Sequence, residues 1–261
     1  MSEIKNIKLL FPIILLVISA NCFAQNNYTF DQFFHETKDF VKAPTKWKGE
    51  DFAKLGLIGF AAYLSSYADE PLQSEMQKDQ SYYYIIPIEA GRIWGEPYTT
   101  GIVSGLFALS GILNHNQANK RIAYEAMQSS LYAGSVTAII KFSFGRARPY
   151  MNLGNDVFKP FNCPIGDFAS FSSGHTCNAF SLSTILSLNT KSDILKVAAY
   201  IPAVTTAFSR IYQNKHWLSD TVFGAAVGCF IGCWVNKIHS DKEKLLPQQE
   251  SNQLVFLSFP L

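Results

Sequence analysis

Three short segments of this 261-residue chain carry side chains suited to gripping a tetrahedral oxyanion and attacking its central atom. The first places six residues between Lys141 and Arg148-Pro149, and the second is Ser172-Ser173-Gly174-His175. The third begins at Ser209-Arg210 and continues through His216 to Asp220. Phosphoryl transfer spreads negative charge over equatorial oxygens, so its catalysis is mostly positioning and electrostatics. Lys141, Arg148 and Arg210 would supply the positive charge, with Arg as a planar two-point grip and Lys as a point charge. Ser173 and the Gly174 backbone would add donors at a tight loop. His216 and Asp220 are four apart and share a face if helical, so the carboxylate would set the imidazole tautomer and free its other nitrogen to attack. His175 would pass a proton to the leaving oxygen.

No motif points to a cofactor or metal. The sequence has no His-Glu-x-x-His, no Cys-x-x-Cys, no clustered carboxylates and no Walker loop. A metal-free route through a phosphohistidine is the simplest chemistry the inventory supports. His35, His115 and His239 read as surface or hydrogen-bonded core residues. Arg146 reads as a surface residue or one standing behind the site.

At these positions the chain resembles the type 2 phosphatidic acid phosphatase (PAP2) superfamily, with its class A acid phosphatases and vanadium haloperoxidases. The family pattern is Lys-x6-Arg-Pro, then Pro-Ser-Gly-His, then Ser-Arg-x5-His-x3-Asp. Lys141, Arg148 and Pro149 match the first part, Ser173, Gly174 and His175 the second, and Ser209, Arg210, His216 and Asp220 the third. Ser172 stands where the family has proline, a departure that bears on loop rigidity more than on chemistry. The resemblance implies His216 as nucleophile, Asp220 as its orienter and His175 as general acid. It implies phosphate binding by Lys141, Arg148, Ser173, Gly174 and Arg210, and no cofactor. Implied substrates are lipid phosphates or pyrophosphates: phosphatidic acid, phosphatidylglycerol phosphate, undecaprenyl pyrophosphate or lipid A. Ser170 to Thr176 with Ala179-Phe180 looks more like the membrane lipid phosphatases than the soluble acid phosphatases.

These side chains need a scaffold. Residues 1–24 read as a signal peptide, a basic start followed by a short apolar run, so the chain is expected to be exported. Residues 25–54 form an aromatic, amphipathic lead-in that packs on the domain or lies on a membrane surface. The catalytic domain is expected over 55–239 and a polar tail over 240–261, the latter ending in a possible strand at 254–259. Six apolar segments within the domain predict an all-α single bundle of about six core helices, with the active site at one end. A long loop over 150–170 leads into His175. Cys163 and Cys177 flank the Ser-Gly-His loop, either bridged or as two free thiols.

A net charge of +2 gives no footprint for nucleic acid. Most apolar segments are shorter than the ~20 residues that usually cross a bilayer. Against that, Gly224, Gly228 and Gly232 form a small-residue ladder of the kind that packs helices in lipid, and Gly101 and Gly105 repeat its spacing. The reading is a membrane-associated enzyme whose active site faces the periplasm, with oligomeric state open. A soluble periplasmic acid phosphatase, a vanadate-dependent haloperoxidase and a non-catalytic lipid-binding protein are the alternatives.

Overall fold

The computed structural model describes residues 28–244. The expected signal peptide and nearly all of the polar tail, including the possible strand, lie outside the described residues. Residues 28–236 form one compact unit.

Ten α-helices occur among the described residues, nine of them at least nine residues long, against an expected six. They are α1 (Phe30–Lys42), α2 (Gly49–Ser66), α3 (Asp69–Gln77), α4 (Ile86–Trp94), α5 (Pro97–Leu113) and α6 (Gln117–Phe144). After a long loop come α7 (Gly174–Leu188), α8 (Asp193–Ala198), α9 (Ile201–Tyr212) and α10 (Leu218–Lys244). The six apolar segments correspond to α2, α5, α6, α7, α9 and α10. The extra helices α1, α3, α4 and α8 are short or polar, so a count of apolar runs passes over them. Their starts are encoded locally: the Thr29 and Ser192 side chains cap α1 and α8, and Pro87 lies in the first turn of α4. The all-α class holds, since an isolated bridge between Arg146 and Phe158 is the only β pairing among the described residues.

The core centres on α7. Cys177, Leu182 and Ile185 of α7 pack with Ile122, Ala126, Tyr132 and Ala133 of α6 and with Val227, Ile231 and Val235 of α10. Outside this trio, α5 packs on α6, and α4 packs on α9, which in turn packs on α7. The lead-in helix α1 docks through Phe40, which stacks on Tyr132 at 4.3 Å and meets Trp234 edge-on at 5.0 Å. Cys163 is exposed and Cys177 is buried, and both are free thiols, so no disulfide ties the loop to α7.

A second pattern lies on the outside. Ile102, Leu106, Leu109 and Leu113 form an exposed stripe along α5. On α2, Phe52, Leu57, Phe60, Tyr63 and Leu64 are exposed, and Ala62 is the one buried residue of that helix. Water-facing helices of this length ordinarily carry charge on such faces.

Candidate active site

The site is built where α6 ends, α7 begins and α10 begins. α6 stops at Gly145, whose backbone is left-handed at φ 58°. A Cβ there would lie 1.7 Å from the Lys159 carbonyl, so only glycine permits the turn. The chain beyond then folds back on itself. Lys159 N–H donates to the Gly145 carbonyl (2.7 Å), Ala147 N–H to Val157 (2.9 Å) and Ser170 N–H to Arg146 (3.0 Å). Trp217 Nε1 donates to the Ala147 carbonyl at 2.9 Å, pinning this loop to the start of α10.

Ser173 caps α7, its hydroxyl accepting from Thr176 N–H, and its own N–H donates to the Asp220 carbonyl at 3.0 Å. The first turn of α7 thus presents the free N–H groups and positive end of a helix dipole. Lys141 lies beside that turn. Its Nζ donates to the Ala169 carbonyl, and its Cε is 3.9 Å from where a Gly174 Cβ would sit. Arg148 is held by Nε to Gly166 O (3.0 Å) and Nη1 to Lys215 O (3.5 Å). Arg210, on the last turn of α9, donates through Nη1 to Gln213 Oε1 at 2.8 Å. Its buried Nε has no hydrogen-bond partner, as a donor awaiting an anion would.

His216 is 97% buried. Its pKa is held well below the ordinary 6.5, first by burial and then by the nearby cations Lys141, Arg148 and Arg210 and by His175. Its Nδ1 faces Asp220 Oδ2 across 3.7 Å, longer than a hydrogen bond, and has no other partner. Asp220 itself is fully engaged. Oδ1 accepts from Arg146 Nη1 (2.7 Å), and Oδ2 accepts from Ser170 Oγ (2.5 Å) and Trp217 N–H (2.9 Å).

Arg146 lies behind the site. It is buried, and it bridges Asp220 to Asp69 Oδ2 (2.8 Å), Ser219 Oγ (2.8 Å) and the Asn155 carbonyl (2.7 Å). Asp69, at the start of α3, also accepts from Ser219 N–H at 2.8 Å. Burial pushes the Asp69 carboxyl up, against the opposing pull of Ser219 and Arg146.

His175, on the first turn of α7, is met from a direction the motifs do not indicate. Its Nε2 lies 3.1 Å from Glu96 Oε1, at the start of α5. Every expected site residue therefore lies at this end of the bundle: Lys141, Arg148, Ser173, Gly174, His175, Arg210, His216 and Asp220. Sequence reasoning missed Glu96, Asp69, Ser170, Ser219 and Gln213. Each is a lone polar residue whose only signal is burial or partnership in the folded chain. Arg146 was visible but undistinguished from a surface cation.

Among the described residues, no group of three or more His, Cys, Asp or Glu side chains could hold a metal ion. Residues 125–244, which contain all three motif segments, match the family described as the PAP2 superfamily. Over 115 residues the chain is 37% identical to a lipid A 1-phosphatase of Porphyromonas gingivalis, a stretch that is 43% of this chain and 22% of that protein. The chain therefore spans about a fifth of that relative's length. A crystal structure described as Aquifex aeolicus LpxE superposes with a TM-score of 0.45 at 20% identity, covering 65% of this chain and 94% of that one. A transmembrane PAP2-type phosphatidylglycerolphosphate phosphatase from Bacillus subtilis superposes at 0.47 with 15% identity, covering 75% and 99%.

Proposed function

We propose that this chain, which belongs to the PAP2 superfamily through residues 125–244, is a metal-independent phosphatase acting on a lipid phosphate or pyrophosphate. The observation that carries this reading is a buried imidazole, His216, held toward its neutral form by burial and by the charges of Lys141, Arg148 and Arg210, with a carboxylate 3.7 Å from its Nδ1. A neutral imidazole is nucleophilic, and the surrounding positive charge draws in the phosphate. His216 Nε2 attacks phosphorus and the bond to the leaving oxygen breaks. A proton from His175 goes to that oxygen. Water then attacks the phosphohistidine, His175 takes its proton, and the P–N bond breaks to release inorganic phosphate. Lys141, Arg148, Arg210, Ser173 and the Gly174 amide hold the equatorial oxygens, and Asp220 orients His216. The 3.7 Å gap between them closes to a hydrogen bond when phosphate binds.

The lipid half of the reading rests on the exposed faces. Water-exposed stripes such as those on α2 and α5 are large for a soluble protein and ordinary for one embedded in lipid. Two stretches, Asp193–Tyr212 and Leu218–Ser240, are also long and apolar enough to cross a membrane. With charge at the bilayer centre so costly, the cationic site belongs at one membrane edge, and export would make that edge periplasmic. Of the four candidate substrates, phosphatidic acid, phosphatidylglycerol phosphate, undecaprenyl pyrophosphate and lipid A, the last gains support from the name of the Porphyromonas gingivalis relative.

The test is phosphate release by detergent-purified protein in EDTA. A lipid phosphate, undecaprenyl pyrophosphate and p-nitrophenyl phosphate are offered side by side. Turnover is expected to be strongest on a lipid and absent in His216→Ala. Asp220→Asn is expected to fold but lose about 10⁴-fold in kcat, as when a triad orienter is removed. Because His216 is held neutral, the acid limb of kcat/KM should lie well below pH 6.5. Equal or better turnover of p-nitrophenyl phosphate, by protein that leaves membranes in a carbonate wash, would favour a soluble acid phosphatase. Near-wild-type activity in His216→Ala would overturn the mechanism.

A further inference from the structure

The three motifs account for the groups that touch phosphate, but they leave a chemical problem at His175. As general acid it must carry a proton, yet burial first, and then the like charges of Arg210 on α9 and Lys141 on α6, push its pKa down to about 4, and His216 faces it from the turn before α10. A negative charge beside His175 offsets part of that depression.

Such a charge is built into the corner between α4 and α5. Glu96 Oε1 lies 3.1 Å from His175 Nε2. The same oxygen accepts from Arg92 Nη1 at 3.1 Å, and Arg92 Nε donates to Glu89 Oε2 at 2.8 Å. Glu89 Oε1 accepts from Gln213 Nε2 at 2.8 Å, and Gln213 Oε1 accepts from Arg210 Nη1 at 2.8 Å. An unbroken chain of polar contacts thus runs from the proton donor to a phosphate-gripping cation, and none of its linking residues belongs to a motif.

Backbone contacts hold this corner in place. A Cβ on Gly95 would come within 2.9 Å of both the His175 Cβ and its carbonyl oxygen, and one on Gly91 within 2.5 Å of the Thr205 carbonyl. Asn178 Nδ2 donates to the Gly95 carbonyl (3.2 Å), and Thr206 Oγ1 donates to the Gly91 carbonyl (2.7 Å). The corner therefore sits directly on α7 and α9, with no room for a side chain between.

We infer that Glu96, clamped by Arg92, is a positioning residue that keeps the proton on His175 and turns the ring toward the leaving group. The inference rests on the phosphatase reading above and deepens it. An imidazolium has two N–H groups. Glu96 takes the Nε2 proton as a hydrogen bond, which leaves Nδ1–H to protonate the leaving oxygen as the P–O bond breaks. In the second step Nδ1 accepts the proton of the attacking water, and His175 is again the cation that Glu96 stabilises.

The experiment compares two leaving groups in Glu96→Gln. An alkyl lipid phosphate departs as an alkoxide and needs the proton, whereas p-nitrophenolate departs without one. Expected is a loss of about 100-fold in kcat/KM on the lipid phosphate, within the usual worth of a general acid. On p-nitrophenyl phosphate kcat/KM, which ends at departure of the leaving group and leaves out the shared water step, should fall less than about threefold, because p-nitrophenolate departs without general-acid catalysis. The alkaline limb of the lipid reaction should also move to lower pH, since that limb reports loss of the His175 proton. Glu96→Asp, which keeps the charge, should recover part of the lipid activity and move the limb back. Equal losses on both substrates, or no loss on either, would overturn the inference by making Glu96 merely structural or idle. A wild-type protein that turns over neither substrate would overturn the phosphatase reading itself, and this inference with it.

Discussion

Two glycine ladders with the same spacing do opposite things in this molecule. On α10, Gly224, Gly228 and Gly232 face α7, and added Cβ atoms would come within 2.6 Å of the Ser173 carbonyl, 2.3 Å of the Cys177 carbonyl and 2.7 Å of the Thr184 Cβ. On α5, Gly101 and Gly105 have nothing within 4 Å of the same construction. The first ladder is a seam that lets two helix backbones touch. The second lies on an open face beside Ile102, Leu106 and Leu109. Small-residue spacing permits close approach, but whether a neighbour uses it is settled by what else the helix carries. The start of α10 carries a buried polar cluster that is satisfied against Asp69 of α3, Arg146 in the loop after α6 and Ser170 in the loop before α7. α5 carries no such anchor on its open side.

The largest effect should come from the polar end of the seam. Arg146 joins Asp220 and Ser219 of α10 to Asp69 of α3, at 2.7 and 2.8 Å within the buried interior. Arg146→Met removes the cation and strands two buried carboxylates. Breaking a buried pair in this way costs about 3–5 kcal/mol. Thermal unfolding in detergent should show that loss, and phosphatase activity should fall with it as Asp220 loses its fixed position. A stability change under about 1 kcal/mol, the usual worth of an exposed pair, would mean that the seam does not depend on its polar end.

That contrast also explains how much could be read in advance. That the proposed site residues gather at one end of the bundle was legible because three ordered segments with fixed spacings are improbable by chance and each side chain has a chemical task. The all-α class was legible from apolar runs. The helix number was not, because α1, α3, α4 and α8 bury narrow stripes or almost nothing, and a search for continuous apolar character passes over them. Arg146 was left between the surface and a place behind the site, and Glu96 was passed over, for a related reason. A lone cation or carboxylate in sequence looks alike whether it ends in water or against a partner dozens of residues away, as Arg146 does with Asp69 and Asp220, and Glu96 with His175. The two ladders make the same point for packing, since nothing local separates Gly228 from Gly105.

A smaller effect is expected within the seam itself. Gly228→Ala places a methyl 2.3 Å from the Cys177 carbonyl and 3.0 Å from the Ser181 backbone nitrogen. Both are backbone atoms of a buried helix, so α7 and α10 must separate. Overpacking of this kind costs about 1–3 kcal/mol. Activity should fall more steeply than stability, because Ser173 and His175 ride on α7 while His216 precedes α10. A displacement near 1 Å at reacting groups costs about 100-fold in rate. An unchanged melting temperature together with unchanged turnover would show that the seam has slack.

The smallest effect, and the sharpest check on the comparison, lies at Gly101. Gly101→Ala adds the same methyl at the same ladder spacing, into open space beside α5. Nothing need move, and replacing a helical glycine with alanine recovers backbone entropy worth up to about 1 kcal/mol. Melting temperature should rise slightly or stay level, and turnover should not change. A loss at Gly101 as large as the loss at Gly228 would mean that the open face is occupied in the working protein, and the two ladders would then be two seams.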